Sequence, residues 1–303
     1  MLGVKTLARA KINLFLSVGP RREDGYHEIR SVMQALELSD ELYFRRTDGS
    51  GGRVALRCSD ENLPAGEDNL AWRAIEIFAG ETGVMDEGGI EVFINKRIPV
   101  GAGLAGGSAD AAAALLAMNH IWELEMSPAE IESMAARVGS DVPFCLRGGT
   151  AMVTGRGEKV EPLEPLPPFQ VVVASTGESA STADVYRRFD TVAGESGLTG
   201  KEELERALSG LLEGVKKGDF EAVCANLRNS LESATIARER LELYKKTALE
   251  AGAAAALMTG SGPAVFALTR TLEDAAGVAW ELEKIAPITI ITGFADRGAQ
   301  IAG

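Results

Sequence analysis

An α+β protein of two domains is predicted from three features of the chain. Its 303 residues are about twice the length of a common domain. Segments with an apolar residue at every second position, which is typical of strands, are mixed with helical segments and antiparallel hairpins. A proline-rich stretch from Glu161 to Phe169 separates the two parts, because proline at that density continues neither a helix nor a central strand. We therefore expect domains at residues 1–160 and 161–303.

The first 60 residues are predicted to form mainly strands. Between residues 10 and 17 a row of aliphatic residues alternates with Lys11, Asn13, Phe15 and Ser17, so Lys11 and Asn13 should share one face of a strand. The alternating residues 90–94 predict another strand.

Helices are expected at three places in the same half. The apolar spacing predicts one over residues 68–80, and an alanine-rich helix should begin near Ser108 and end at about Trp122. Ser127 and Pro128 have the residue types that start a third helix.

The second half should begin with a buried strand at residues 170–175 and continue with a flexible surface connection at 194–202 and helices across 201–250. Its final part predicts a strand, a glycine-rich turn, a strand, a helix and a strand, with the regular elements at residues 254–258, 265–268, 271–285 and 288–294.

The amino-acid composition argues against several classes of function. Acidic residues outnumber basic ones by 44 to 31, for a net charge of −13, which argues against binding of nucleic acid or anionic membrane. The three cysteines are far apart and the histidines number only two, so neither a disulfide framework nor a resident metal site is expected. The longest apolar run, residues 111–118, is well below the roughly 20 residues of a membrane span. The N-terminal apolar patch lacks a signal-peptide cleavage site, and we expect a cytoplasmic protein.

The most informative segment is the glycine loop, residues 99–109. Nearly all of its side chains are small, so a ligand can approach the backbone, and the following helix adds free N–H groups and a positive dipole end. These features suit a phosphate. Gly101, Gly103 and Gly106 also match the dinucleotide fingerprint, but that motif needs a following strand and an acid about 20 residues on. A Walker A loop would need a lysine, and a structural turn that packs a helix on a sheet is the remaining alternative.

Two further segments favour a functional interpretation. Residues 139–144 place Asp141 at a turn in an otherwise apolar region, where Ser140 or Asp141 could instead be a helix cap. Residues 258–266 contain a second loop of small residues, Gly260-Ser261-Gly262, which could instead be a plain hairpin turn.

Taken in order, these three segments resemble the GHMP small-molecule kinases. Residues 99–109 fit that family's signature, Pro-x-x-x-Gly-Leu-small-Gly/Ser-Ser-small, and residues 260–262 fit its C-terminal glycine loop. The similarity covers essentially the whole chain. Ala105 and Ala109 stand where many members have glycine and serine, and both changes keep the side chain small.

This resemblance implies a two-domain GHMP kinase fold, with an N-terminal domain like domain 2 of ribosomal protein S5, a ferredoxin-like C-terminal domain and the active site in the cleft between them. It implies ATP as phosphoryl donor, Mg²⁺ bound with the ATP, and a small-molecule acceptor. Ala-Lys-Ile-Asn-Leu at residues 10–14 and Asp-Gly-Tyr-His at 24–27 are most similar to members that phosphorylate the C2 hydroxyl of a cytidine-diphosphate methylerythritol, in the non-mevalonate route to isoprenoid precursors.

The same resemblance implies the residue roles. Asp141 would be the general base and Lys11 its partner, which holds the carboxylate ionised and stabilises charge on the transferring group. Tyr26 and Tyr186 would sandwich the cytosine and His27 would hydrogen-bond its edge. Contacts to the diphosphate or the erythritol are expected from Asn13 and Thr182. The ATP phosphates are expected on Pro99, Val100, Gly101, Ala102, Gly103, Leu104, Ala105, Gly106, Gly107, Ser108 and Ala109, with support from Gly260, Ser261 and Gly262.

Other functions stay open at this stage. A GHMP kinase of the homoserine or mevalonate type has no evident need of Tyr26, His27 and Tyr186. A nicotinamide-dependent oxidoreductase would rest on the glycine fingerprint alone, and a catalytically silent sugar-phosphate sensor should have lost Lys11 or Asp141. The sequence leaves the choice between a monomer and a weak homodimer open.

Overall fold

The computed structural model describes residues 3–48, 53–196 and 200–302, which form two β-sheets with helices packed on them. The strands are β1 (Gly3–Arg21), β2 (His27–Thr47), β3 (Val54–Cys58), β4 (Gly89–Asn95), β5 (Thr150–Gly155), β6 (Lys159–Pro162), β7 (Gln170–Ser175), β8 (Arg228–Asn229), β9 (Ala255–Met258), β10 (Ala264–Thr269), β11 (Ile288–Gly293) and β12 (Gln300–Ala302).

The α-helices are α1 (Leu70–Thr82), α2 (Gly106–Ile121), α3 (Pro128–Val138), α4 (Val142–Arg147), α5 (Thr182–Ser196), α6 (Lys201–Lys217), α7 (Phe220–Ala225), α8 (Arg238–Glu250) and α9 (Leu272–Leu282). Short 3-10 helices lie at Val84–Glu87 and Ser230–Ala234. None of the helices in the described ranges combines the length and the apolar composition needed to cross a membrane.

The first sheet is built on the long antiparallel strands β1 and β2, in the order β12-β1-β2-β4-β3. The other end of β2 pairs with β5, which pairs in turn with β6. As the alternation predicts, the aliphatic residues of β1 from Ala10 to Leu16 are buried. The opposite face, with Lys11 and Asn13, is buried as well, because the glycine loop and the β9–β10 hairpin cover it.

The second sheet has the order β11-β7-β10-β9 and is antiparallel throughout. Its first strand lies between its fourth and its third strand, which is the arrangement of the expected ferredoxin-like unit. Helices α8 and α9 pack on this sheet. The C-terminal residues do not stay with it, because β12 pairs with β1 of the first sheet. The boundary between residues 160 and 161 stays a prediction.

Several helix predictions need correction. The alanine-rich helix begins at Gly106 rather than near Ser108, because Ala105 is left-handed (φ 57°) and ends the loop earlier. Within the range 201–250, where only helices were expected, residues 228–229 form strand β8 and residues 230–234 a 3-10 helix, and the Asn229 side chain accepts from the Leu231 N–H at 2.9 Å there. The expected helix start at Ser127 is confirmed with a complete capping box.

The predicted flexible connection at residues 194–202 is wrong at both of its ends. Residues 194–196 belong to α5 and residues 201–202 to α6, while 197–199 lie outside the described residues. Helix α5 was not expected from the sequence, because its average composition is polar, although Val185, Tyr186 and Phe189 have helical spacing. It is nevertheless important, since it carries two of the predicted substrate residues, Thr182 and Tyr186.

Candidate active site

A cavity of about 980 Å³ lies between the glycine loop, the start of β2, helix α5 and the β9–β10 hairpin. The structure brings nearly all of the predicted site residues to its wall. Two are exceptions, because Ala109 is fully buried inside α2 and Gly262 lies in the hairpin turn away from the cavity. The predicted residues that line the cavity are Lys11, Asn13, Tyr26, His27, residues 99–108, Asp141, Thr182, Tyr186, Gly260 and Ser261.

The glycine loop has a conformation that depends on its small residues. Gly101 and Gly103 have φ values of 64° and 79°, where a side chain is strained. A Cβ on Gly103 would lie 2.3 Å from the Thr259 carbonyl oxygen, so only glycine allows the loop to touch the β9–β10 hairpin. The loop leads into α2, whose first-turn N–H groups have no partner within the helix. The N–H groups and the positive dipole end there are suited to a phosphate.

Lys11 connects the glycine loop to the first sheet. Its Nζ donates to the Gly103 carbonyl and to Asn13 Oδ1, both at 2.8 Å, and its backbone N–H donates to the Leu104 carbonyl at 3.1 Å. The residue is only 3% exposed. Both of these acceptors are neutral, so the Lys11 ammonium can also attract an anion beside the loop.

Asp141 is the charged partner of that ammonium. Its Oδ2 lies 3.8 Å from Lys11 Nζ, and its side chain is one-third exposed (33%) toward the cavity. Asp141 occupies the N-cap position of α4, yet its carboxylate makes no capping hydrogen bond. The alternative that Asp141 serves as a helix cap is therefore not supported, and the carboxylate is available for another function.

The far end of the cavity contains aromatic side chains. Tyr26 is half-exposed (52%) and the Arg156 guanidinium lies over its ring at 5.3 Å. The His27 and Tyr186 rings are 5.2 Å apart. Burial raises the pKa of the Tyr186 phenol, and the nearby Asp141 carboxylate adds to the rise. The aromatic end and the Lys11–Asp141 pair line the same cavity.

Two loops of the second half complete the wall of the cavity. The Thr182 and Ser261 hydroxyls are hydrogen-bonded at 3.1 Å, which joins the start of α5 to the second glycine loop. Gly260 has a φ of 55°, and a Cβ there would lie 3.2 Å from Lys11 Nζ. The segment is thus both a hairpin turn, as the simpler interpretation had it, and a part of the cavity wall.

Sequence reasoning missed a buried charge cluster beneath the glycine loop. Lys96 Nζ donates to Asp40 and, at 2.8 Å, to Asp110 Oδ2, and all three side chains are nearly inaccessible. Burial raises the pKa of Asp110 to about 8; the Asp40 charge adds to this rise and the Lys96 charge opposes it. An acid within an otherwise alanine-rich buried helix was the signal that could have revealed the cluster.

No resident metal site is formed by the side chains of the described ranges, where no three His, Cys, Asp or Glu residues are close enough together to hold an ion.

Comparison with known proteins agrees with this geometry. The chain matches the families described as GHMP kinases N terminal domain, at residues 69–149, and GHMP kinases C terminal, at residues 211–286. A curated relative from Pelotomaculum thermopropionicum, 4-diphosphocytidyl-2-C-methyl-D-erythritol kinase, is 46% identical over 278 residues, which are 91% of this chain and 92% of the relative.

Two solved structures share the fold of this chain at different levels of sequence identity. A crystal structure of 4-(cytidine 5'-diphospho)-2C-methyl-D-erythritol kinase is 33% identical, with a TM-score of 0.77 over 96% of this chain and 99% of that one. Homoserine kinase from Cytophaga hutchinsonii has a TM-score of 0.81 over 99% and 97% of the two chains but only 21% identity, so it shows the fold alone. The expected α+β fold is confirmed, and the chain belongs to the GHMP kinase family, in the branch formed by the 4-diphosphocytidyl-2-C-methyl-D-erythritol kinases.

Proposed function

We propose that this kinase transfers the γ-phosphoryl group of ATP to the C2 hydroxyl of 4-diphosphocytidyl-2-C-methyl-D-erythritol, giving the 2-phosphate and ADP. The observation that carries the proposal is the position of the Lys11–Asp141 pair. It lies between the glycine loop and the Tyr26, His27 and Tyr186 side chains in one cavity, which matches a substrate with a cytosine at one end and a reactive hydroxyl at the other. The names of the most similar relatives support the same substrate.

Asp141 accepts the proton of the attacking hydroxyl in this mechanism. Its carboxylate is free of capping contacts and faces the cavity, as a general base must be to reach its proton. Lys11, 3.8 Å away, stabilises negative charge on the transferring group. Phosphoryl transfer depends chiefly on positioning and charge stabilisation, so few groups are required.

The phosphates are bound mainly by the backbone. The first-turn N–H groups of α2 have no partner within the helix and bind anionic oxygens at the glycine loop, beside the Lys11 ammonium. Mg²⁺ bound with ATP supplies further charge neutralisation. Such local positive groups explain how a chain with a net charge of −13 binds two polyanionic substrates. A cytoplasmic location also belongs to this proposal, and the three free cysteines support it.

The proposal is tested by ADP release from purified protein with ATP and Mg²⁺. We expect release with the cytidine substrate and none with homoserine or mevalonate. Release with either of the latter, and none with the cytidine substrate, would assign the chain another acceptor.

Asp141→Asn tests the base in the same assay. Because Asp141 caps no helix, this change should leave the fold intact. It should lower kcat by about 10²–10⁴-fold with KM for both substrates near that of the wild type. A variant with unchanged kcat would remove Asp141 from the base role.

A further inference from the structure

His27 and Asp190 form a pair that the roles above do not use. Asp190 Oδ1 lies 2.7 Å from His27 Nε2. Both residues line the cavity, and the His27 side chain is only 6% exposed. Asp190 follows Tyr186 by one turn of α5, so the two residues share a face of that helix. One helix therefore brings a ring to one side of His27 and a carboxylate to its Nε2.

The carboxylate determines which ring nitrogen carries hydrogen. An ionised carboxylate only accepts hydrogen bonds, so the short contact requires an N–H at Nε2. In the neutral imidazole Nδ1 is then the acceptor. Nδ1 makes no hydrogen bond to any residue in the described part of the chain and is not enclosed by protein, so it is available to a ligand.

We infer that Asp190 is a positioning residue that determines base specificity by holding His27 as the Nε2–H tautomer, with Nδ1 as an acceptor for an exocyclic amino group. The inference rests on the proposed function, since it concerns the base of that substrate. Cytosine presents an amino donor at C4, whereas uracil presents a carbonyl acceptor there. An acceptor at His27 pairs with the first base and leaves two facing lone pairs with the second, and that mismatch disfavours uracil.

The tautomer can be measured without activity, by ¹⁵N NMR of the full chain labelled at histidine. The chain has only two histidines, His27 and His120, and the exposed His120 serves as an internal reference for the folded state. At pH 8 we expect wild-type His27 to carry hydrogen at Nε2 and a lone pair at Nδ1. Asp190→Ala should give a mixture of tautomers, and Asp190→Asn, whose amide oxygen still accepts from Nε2–H, should restore much of the wild-type signal.

Kinetics test the consequence for specificity. Asp190→Ala should raise KM for the cytidine substrate about tenfold, the equivalent of one hydrogen bond, with kcat and KM for ATP nearly unchanged. It should also reduce the preference for the cytidine substrate over its uridine analogue. Asp184→Asn is the matched control, because it removes a carboxylate from the same helix at an exposed position paired with Arg187. Asp184→Asn should change neither KM for the cytidine substrate nor the preference for it over the uridine analogue.

The NMR and kinetic results distinguish a failure of the role given to Asp190 from a failure of the proposed function. A wild-type His27 with hydrogen on Nδ1, or a tautomer unaffected in both Asp190 variants, overturns the role of Asp190 whatever the substrate is. An Asp190→Ala enzyme with a disturbed tautomer but unchanged base preference overturns the specificity role. A wild-type enzyme with the expected tautomer and no turnover of the cytidine substrate instead contradicts the proposed function.

Discussion

Asp110 shows how a single buried residue links the fold to the site. It shares the Lys96 ammonium with Asp40, which also accepts from the backbone N–H of Ile98 at 2.9 Å. The second oxygen of Asp110 is buried and has no hydrogen-bond partner among the described residues. Two carboxylates on one ammonium leave an excess negative charge unless one of them is protonated. The raised pKa of Asp110, about 8, makes it the protonated one near neutral pH.

Asp110→Asn should flatten the dependence of stability on pH. The folded-state pKa of Asp110 lies above its usual value, so the folded protein holds this proton more tightly than the unfolded chain. The stabilisation is complete below the usual pKa, about 4, and is lost as the pH rises through about 8. Asparagine resembles the protonated acid and does not titrate.

Urea unfolding of both proteins between pH 5 and 9 is the measurement for this substitution. The difference between wild type and variant isolates Asp110 from the other titrating groups. We expect the wild type to lose stability relative to Asp110→Asn as the pH rises. Parallel profiles would show that Asp110 has an ordinary pKa.

For single residues, neighbours within one element could be predicted from the sequence, whereas partners from separate elements could not. The alternation along β1 placed Lys11 and Asn13 on one face, and their 2.8 Å hydrogen bond agrees. The Lys96 cluster joins residues from three separate elements or loops, and no local period reports such a meeting. The pairing of His27 with Asp190 was missed for the same reason.

At the scale of elements, helix α4 connects the candidate active site at its start with the C-terminal tail at its end. Asp141 stands at its start, and its last residues contact the C-terminal tail, residues 294–302. The Gly298 N–H donates to the Arg147 carbonyl at 3.0 Å, and the Ala299 N–H to the Cys145 carbonyl at 2.8 Å. The tail thereby determines the position of the helix that carries the proposed base.

Gly148→Ala should break this contact. Gly148 has a φ of 71°, and a Cβ there would lie 1.9 Å from the Gly298 backbone nitrogen. We expect a loss of about 3 kcal/mol or more in the free energy of unfolding, with a lower kcat because Asp141 shifts with α4.

The same substitution at Gly80, an exposed position of α1 with open space around it, serves as the control. It should stabilise the protein by about 0.5–1 kcal/mol. Equal effects at both sites in thermal or urea unfolding would contradict the role given to the tail.

Elements with a strong local period were predictable, and those that depend on distant partners were not. Strand β7 matches its predicted residues 170–175, because a continuous apolar run of that length is typical of a buried strand. Strand β12 has three residues and exists only because β1 offers it an edge. Helix α5 has a polar average composition, and its apolar face, with Val185, Tyr186 and Phe189, packs on a buried cluster built from distant elements.

At the scale of the whole molecule, the two sheets share an apolar core, and a small polar junction joins them behind the cavity. Thr259 Oγ1 of the β9–β10 hairpin accepts from the Asn13 N–H at 3.2 Å and donates to the Gly103 carbonyl at 3.3 Å. Asn229 Nδ2 donates to the Met258 and Gly260 carbonyls, both at 2.8 Å. The junction therefore connects β1, the glycine loop and the second sheet next to Lys11, so the position of the Lys11 ammonium depends on bonds that also join the two halves.

Thr259→Val tests whether this junction supports both stability and activity. Valine has nearly the shape of threonine, so packing is kept while the Asn13 N–H and one acceptor position of the Gly103 carbonyl lose their partner. Leaving such buried groups unsatisfied should cost about 1–3 kcal/mol in urea unfolding. The kcat should fall about tenfold or more, because Lys11 depends on the same two neighbours for its position.

Thr6→Val is the matched comparison, and it should change the free energy of unfolding in the opposite direction. Thr6 is fully buried, and its hydroxyl has no hydrogen-bond partner within the described ranges, so valine removes a desolvation cost and breaks no bond. We expect Thr6→Val to stabilise the protein by about 1 kcal/mol with kcat unchanged. If both substitutions shifted stability in the same direction, or if Thr259→Val kept the wild-type kcat, the hydroxyl of Thr259 would not be what aligns the two halves at the site.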